Sequence, residues 1–237
     1  MRATATLASA LHVPGPYMAE LARKRGLHVA TLPLGIDIER FRPPGTAMTP
    51  GPPWRLLQVA SLSPVKDQST LLQAAARLRR RTPGFQLDIV GEDTLSGRLH
   101  AEAAALGLEE VVRFHGMVPA ERMPDFYRHA HLYVQSSRHE ASGIAVLEAA
   151  ACGLPIVGTG VGTLAELAPD AAAAVPVGDP DALAGAIADL LADEGRRRAL
   201  GRAARARAEQ VDAAASARAL ADLYGALGRQ SMRYFAR

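Results

Sequence analysis

From Trp54 onward the chain alternates short apolar runs with amphipathic segments, and few folds accept that rhythm. Strand-like runs occupy 55–60, 85–90, 111–115, 130–135, 155–158 and 172–177. Helical periodicity covers 68–81, 95–106, 121–129, 143–151, 182–192 and 194–210. Strict strand–helix alternation predicts a doubly wound, Rossmann-like parallel α/β sheet. Such sheets bind ligands beyond the carboxyl ends of their strands, at the topological switch. In the common strand order 3-2-1-4-5-6 the first and fourth strands flank that switch. The loops that leave them carry Lys66 and Glu140. Gly91, Gly116 and Gly158 fall near strand ends, where the backbone is expected to approach a helix or a ligand closely.

The segment after the fourth strand, Ser137-Arg138-His139-Glu140-Ala141-Ser142-Gly143-Ile144-Ala145-Val146-Leu147-Glu148, is the richest in chemistry. Two glutamates separated by seven residues bracket a small-residue turn and the start of an Ala-rich helix. The amides of Ser142, Gly143 and Ile144 would lie unpaired at the helix mouth, where the dipole favours an anion such as a phosphate. Glu148 shares its helix face with Ile144, Ala151 and Cys152. A carboxylate on such a face needs a donor from the protein or from a ligand hydroxyl, unless the helix turns it to solvent. Glu140 serves equally well, on spacing alone, as a charge stabilising the helix dipole. Eight residues of helix rise about 12 Å, more than the roughly 5–9.5 Å separating the carboxylates of a glycosidase acid–base pair. The two glutamates are therefore read as separate contacts on one ligand.

Net charge is +3 and aromatics make up 5% of residues, which argues against a nucleic-acid partner. Among 27 basic residues only Lys24 and Lys66 are lysines. Lys66 lies between a strand-like run and a helix, where a compact ammonium reaches an anion; otherwise it is a solvated loop lysine. The single cysteine, Cys152, cannot form an intramolecular disulfide and reads as a small core residue, which fits a reducing, cytoplasmic compartment. The first ten residues superficially resemble a signal peptide. Thr4, Thr6 and Ser9 interrupt their apolar stretch, so secretion is not expected. His129 and His131 read as alternate residues of one strand with no third ligand in view, hence as packing residues; with no Asp-x-Asp pair in a suitable loop, no metal cofactor is expected.

The proline-rich stretch 43–53 reads as a linker. Before it, a short apolar stretch at 7–9, a helix near 16–25 and a strand near 28–32 make too little to bury a core of their own. Residues 1–42 are thus expected to be the remnant of a preceding α/β domain that must dock, pair with a second copy or fray. Residues 54–210 form the main domain, and 211–237 a C-terminal helix and tail.

With these pieces assembled, residues from about 28 to 225 resemble the family 4 retaining glycosyltransferases, two-domain enzymes of GT-B architecture. The resemblance rests on Leu34-Gly35-Ile36-Asp37-Ile38-Glu39-Arg40-Phe41-Arg42-Pro43 and on Gln58-Val59-Ala60-Ser61-Leu62-Ser63-Pro64-Val65-Lys66-Asp67. It rests also on the Glu140–Glu148 block ending Ala151-Cys152-Gly153-Leu154-Pro155 and on Gly162-Thr163-Leu164-Ala165-Glu166. It implies that 54–210 is the nucleotide-sugar half, the C-terminal half of a GT-B fold. It implies further that Glu140 meets the donor sugar and Glu148 the ribose, and that Lys66 with the helix-mouth residues Ser142, Gly143 and Ile144 holds the diphosphate. Catalytic roles fall to Glu140 and Lys66. The nucleobase is expected near Met117 and Val118, after the third strand. Ser61 stands where the family often carries an arginine, and nearly the whole acceptor domain of the family is absent. The implied partners are a nucleotide-sugar donor, an acceptor of unassigned class (glycan, lipid or small molecule) and an acceptor domain supplied by further sequence or a partner chain. Location at the inner membrane face is compatible with such a role. Two other readings fit the same residues: a nucleotide-sugar binding module without transfer activity, and another doubly wound protein such as a sugar-nucleotide epimerase.

Overall fold

The computed structural model describes residues 8, 10–45, 51–82 and 84–235, the last eight by backbone alone. Strands β1 (His12–Val13) and β2 (Ala30–Thr31) pair in parallel around helix α1 (Pro16–Arg23). The apolar stretch at 7–9 falls on residues 7 and 9, outside the described residues. The main sheet has six parallel strands: β3 (Trp54–Val59), β4 (Phe85–Val90), β5 (Val112–Phe114), β6 (Leu132–Gln135), β7 (Ile156–Thr159) and β8 (Ala173–Val175). Their spatial order is β5-β4-β3-β6-β7-β8, which is 3-2-1-4-5-6 within the domain, so the expected doubly wound topology is the observed one. β3 pairs with β6 at Leu56↔Leu132 and Leu57↔Tyr133, and the switch lies between them.

Seven helices follow these strands: α2 (Gln68–Arg81), α3 (Arg98–Ala105), α4 (Met123–Arg128), α5 (Ile144–Ala151), α6 (Thr163–Leu167), α7 (Pro180–Ala192) and α8 (Glu194–Ala208). A long helix, α9 (Ala213–Phe235), follows them. Strand residues alternate between two cores, as the period of two requires. Leu56, Leu87, Ile89, Leu132 and Val134 face α2, α3 and α7. Leu57, Val90, Tyr133 and Ile156 face α4, α5 and α6. Each leucine fully buried there contributes about 1.5–3 kcal/mol.

Several expectations are corrected. Periodicity did not announce α6, a helix of five residues and too short to show a face. β6 starts at Leu132, so His129 and His131 do not alternate on a strand. His129 caps α4, its Nδ1 lying 2.7 Å from the Asp125 carbonyl, and His131 Nδ1 accepts from the Arg55 amide at 3.0 Å while its ring packs edge-on against Trp54. At Gly91 the close approach is to the neighbouring strand's exit: a Cβ there would fall 2.0 Å from the Ala60 carbonyl oxygen, just past the end of β3.

Residues 36–41 pack against the six-stranded unit. Ile36 exchanges backbone hydrogen bonds with Val211 and Ala213, and Ile36 and Phe41 are buried in the core beneath α4 and α5. Arg205 of α8 ties this segment down, its Nη1 donating to the carbonyls of Phe41 (3.1 Å) and Ala151 (2.5 Å). At α1 the Tyr17 amide donates to Glu166 Oε1 of α6 at 2.8 Å. No helix of the described residues is long and apolar enough to cross a membrane.

Candidate functional site

A cavity of about 360 Å³ opens over the carboxyl ends of β3 and β6. Ser61, Lys66, Glu140, Ser142, Gly143 and Ile144 all line it, so the structure gathers six of the sequence-predicted residues in one place. Its two walls are the β3–α2 loop and the β6–α5 loop. The Ser136 hydroxyl donates to the Lys66 carbonyl at 2.8 Å, the Arg138 amide donates to the Val65 carbonyl at 2.8 Å, and the Arg138 guanidinium pairs with Asp67 at 3.0 Å. Asp67 is in turn fixed at the start of α2, in the left-handed region (φ 48°), accepting from Thr70 Oγ1 at 2.8 Å.

Across the cavity Lys66 Nζ meets Glu140 Oε1 at 2.5 Å, and Ser137 Oγ donates to the same oxygen at 2.8 Å. Glu140 sits against Gly162: a Cβ on that glycine would lie 2.5 Å from the Glu140 Cβ, and its φ of +58° disfavours any side chain. The Gly162-Thr163 turn therefore backs the carboxylate. Thr163 also donates through both its amide and its hydroxyl to the Ser142 carbonyl. Gly143 begins α5 in the left-handed conformation (φ 73°, ψ 58°). Among the described residues, the amides of Ser142, Gly143 and Ile144 have no intramolecular acceptor. They form a helix N-terminus opposite an ammonium, an arrangement suited to an anion.

Glu148 lies one turn further along α5 and outside the lining of this cavity. It has the partner its apolar surroundings demand: the Tyr127 hydroxyl donates to Glu148 Oε2 at 2.5 Å. Burial raises the Glu148 carboxyl above its ordinary value, offset by the Tyr127 hydrogen bond and by the Arg40 charge. Its face is less enclosed than the sequence suggests, because Ile144 is half exposed while Ala151 and Cys152 are buried. Tyr133 is wholly buried near both glutamates, and burial, then Glu140, then Glu148 push its hydroxyl far above the usual tyrosine range. Tyr127 and Tyr133 stack with centroids 6.1 Å apart. Cys152 is a buried free thiol, pushed up to about 12 by burial, consistent with a packing role.

Met117 and Val118 do not join the cavity. Met117 is 74% exposed, and Val118 packs against the core beneath α4 and α5. Sequence reasoning missed Tyr127, Tyr133, Ser137 and two buried glutamines, Gln58 and Gln135. The glutamines carried a usable signal, since each stands in or directly after an apolar run near the carboxyl end of its strand, Leu56-Leu57-Gln58-Val59 and Leu132-Tyr133-Val134-Gln135. Among the described residues no group of three or more His, Cys, Asp or Glu side chains is placed to hold a metal ion.

Comparison with known proteins agrees with this architecture. The chain is 35% identical over 226 residues to a D-inositol 3-phosphate glycosyltransferase of Catenulispora acidiphila, covering 87% of this chain and 53% of that protein. It is 35% identical over 190 residues to a GDP-mannose-dependent α-(1-6)-phosphatidylinositol monomannoside mannosyltransferase of Mycolicibacterium smegmatis, covering 73% and 50%. The chain thus spans about half the length of the curated relatives it matches. Among solved structures, sucrose-phosphate synthase from Thermosynechococcus elongatus superposes with a TM-score of 0.87 at 26% identity, covering 97% of this chain and 61% of that one. Anabaena HepE in complex with UDP and glucose superposes at 0.82 and 22% identity, covering 95% and 66%, and shares the fold. These are GT-B folds, and the six-stranded parallel sheet described above is of that kind. Residues 47–207 match the family of glycosyl transferases group 1, and the chain belongs to that family.

Proposed function

We propose that this chain supplies the donor-binding half of a retaining glycosyltransferase of family 4, moving a sugar from a nucleoside-diphosphate sugar to a hydroxyl-bearing acceptor. The observation that carries this reading is the convergence, in one cavity at the sheet's switch point, of the Lys66–Glu140 pair with the open amides of Ser142, Gly143 and Ile144. Departure of a nucleoside diphosphate builds negative charge on the leaving oxygens. A fixed cation and aligned amides in a cleft poor in water stabilise that charge without a divalent metal. In this reading Lys66 and the helix mouth hold the diphosphate. Glu140 faces the donor sugar and Glu148 takes a ribose hydroxyl, with Ser61 beside the phosphates and the base towards Met117 and Val118. The names of the curated relatives point to phosphorylated or lipid-linked inositol as the acceptor class.

Calorimetric titration with UDP, GDP and ADP, with and without chelator, tests the site: one of the three binds, and chelator leaves its affinity unchanged. Absence of binding by all three overturns the reading. Transfer needs the acceptor held within about 3–3.5 Å of the reacting carbon, which one wall of a cleft cannot arrange. The 237-residue chain alone is therefore expected to bind donor but transfer sugar negligibly, in an assay using inositol phosphate as acceptor. Donor binding that persists without transfer, even with an acceptor domain added, would restrict the protein to a nucleotide-sugar binding module.

A further inference from the structure

Two amide side chains in the cavity wall are held in fixed orientations that leave an acceptor over. Gln58 is buried, and its Nε2 donates to Ser136 Oγ at 2.8 Å. The Ser136 hydroxyl proton is committed to the Lys66 carbonyl, so Ser136 can only accept from Gln58, and the amide cannot be turned over. Gln58 Oε1 is left buried with no hydrogen-bond partner, the one such side-chain atom among the described residues. Gln135, also buried, has Nε2 within reach of two carbonyls, Thr159 at 3.2 Å and Val161 at 3.3 Å, which fixes it in the same sense. Its Oε1 lies on the side of Gly143, 3.8 Å from where a Cβ on that glycine would stand, and accepts nothing from the described residues. Both glutamines line the cavity that holds Lys66, Glu140 and the helix mouth.

Diphosphate oxygens are acceptors and cannot satisfy either carbonyl. The matching ligand group is an O–H donor. We propose that Gln58 and Gln135 are specificity-determining contacts to the hydroxyl groups of the donor sugar, their Oε1 atoms accepting hydrogen bonds once the nucleotide sugar enters. The proposal rests on the reading of this cavity as a nucleotide-sugar site. A buried polar atom left unpaired penalises a ligand that lacks the matching donor, so Gln58 Oε1 would discriminate among sugars rather than tighten the grip on nucleotide, with Gln135 Oε1 as a second acceptor beside it. The Ser136 hydroxyl that fixes Gln58 donates separately to the Lys66 carbonyl, and that loop contact does not require Gln58.

The test uses the full chain and calorimetry with UDP, GDP and ADP, and with UDP-glucose, GDP-mannose and ADP-glucose. Gln58→Met and Gln135→Met preserve side-chain volume and remove the acceptor together with the Nε2 donor, and thermal melting checks that each variant is folded. Each variant should bind free nucleotide within about twofold of wild type and lose about three- to tenfold in affinity for the nucleotide sugar. A second arm needs no variant. Wild-type protein is titrated with deoxyfluoro analogues of the bound donor, in which fluorine replaces one hydroxyl at a time and cannot donate. At least one analogue should lose a similar factor. Equal loss of nucleotide and nucleotide sugar in both variants, or parent-like binding of every fluorinated analogue, overturns the proposal while leaving the nucleotide site intact. Failure of wild-type protein to bind any nucleotide overturns both.

Discussion

At the residue scale the two glutamates of the α5 region have different environments, and so should have different consequences when neutralised. Glu140 is engaged by Lys66 and Ser137 at the cavity, whereas Glu148 is engaged by Tyr127 outside its lining. Glu148→Gln is expected to weaken free nucleotide by roughly ten- to a hundredfold, the worth of about 1.5–3 kcal/mol for one hydrogen bond to a charged group. Glu140→Gln should spare free nucleotide and weaken only the nucleotide sugar. Calorimetry on both variants decides, and equal loss of free nucleotide would show that the two roles are not divided. Glu148 also leaves a mark on stability. Burial raises its folded-state pKa above the ordinary value of 4.5, so the folded protein holds this proton more tightly than the unfolded chain does. The associated stability is complete below about 4.5 and is lost as pH rises through the raised value. Glu148→Gln lacks that loss. Its urea midpoint relative to wild type should rise with pH above 4.5 and then level off.

At the element scale the least expected arrangement is the docking of residues 36–41 on the far side of a proline-rich stretch. Arg205 holds that segment through two carbonyls while its Nε pairs with Glu209 at 2.7 Å. Arg205→Met should cost about 1–3 kcal/mol, because buried carbonyls lose their donor. Hydrogen exchange should quicken at residues 36–41 while the amides of β3 and β6 stay protected. The six-stranded order was legible in the sequence because short runs rich in apolar residues alternate with long amphipathic crossover helices. The sequence reading placed 68–81 where α2 runs and 85–90 where β4 runs. Strand ends were read less well: β6 begins at Leu132 because the chain must first turn out of α4, the Ala130 amide bonding back to the Tyr127 carbonyl. Of the site, the parts with local signatures were visible, namely a loop lysine, a helix mouth and a glutamate on an apolar face. The partners of those groups were not. Tyr127 and Glu148 are 21 residues apart and Gln58 and Ser136 are 78 apart, and only the folded sheet brings such pairs together.

At the scale of the whole molecule, the cation lining the cavity and the arginine of its β6–α5 loop both already face a carboxylate. Lys66 faces Glu140, and Arg138 faces Asp67. At the cavity, an approaching polyanion therefore meets short-range dipoles rather than bare cations, and with a net charge of only +3 on the chain the long-range attraction that speeds many charged encounters is small. Nucleoside diphosphate should accordingly associate at an ordinary rate that changes little between low and physiological ionic strength, measured by stopped-flow mixing. A steep fall of the on-rate with salt would mean that the lysine is released before the ligand arrives. On the proposed reading, a diphosphate that takes Lys66 must displace Glu140 from it, so capture of the anion and release of the carboxylate would be a single event, and the carboxylate would become available only in a loaded site.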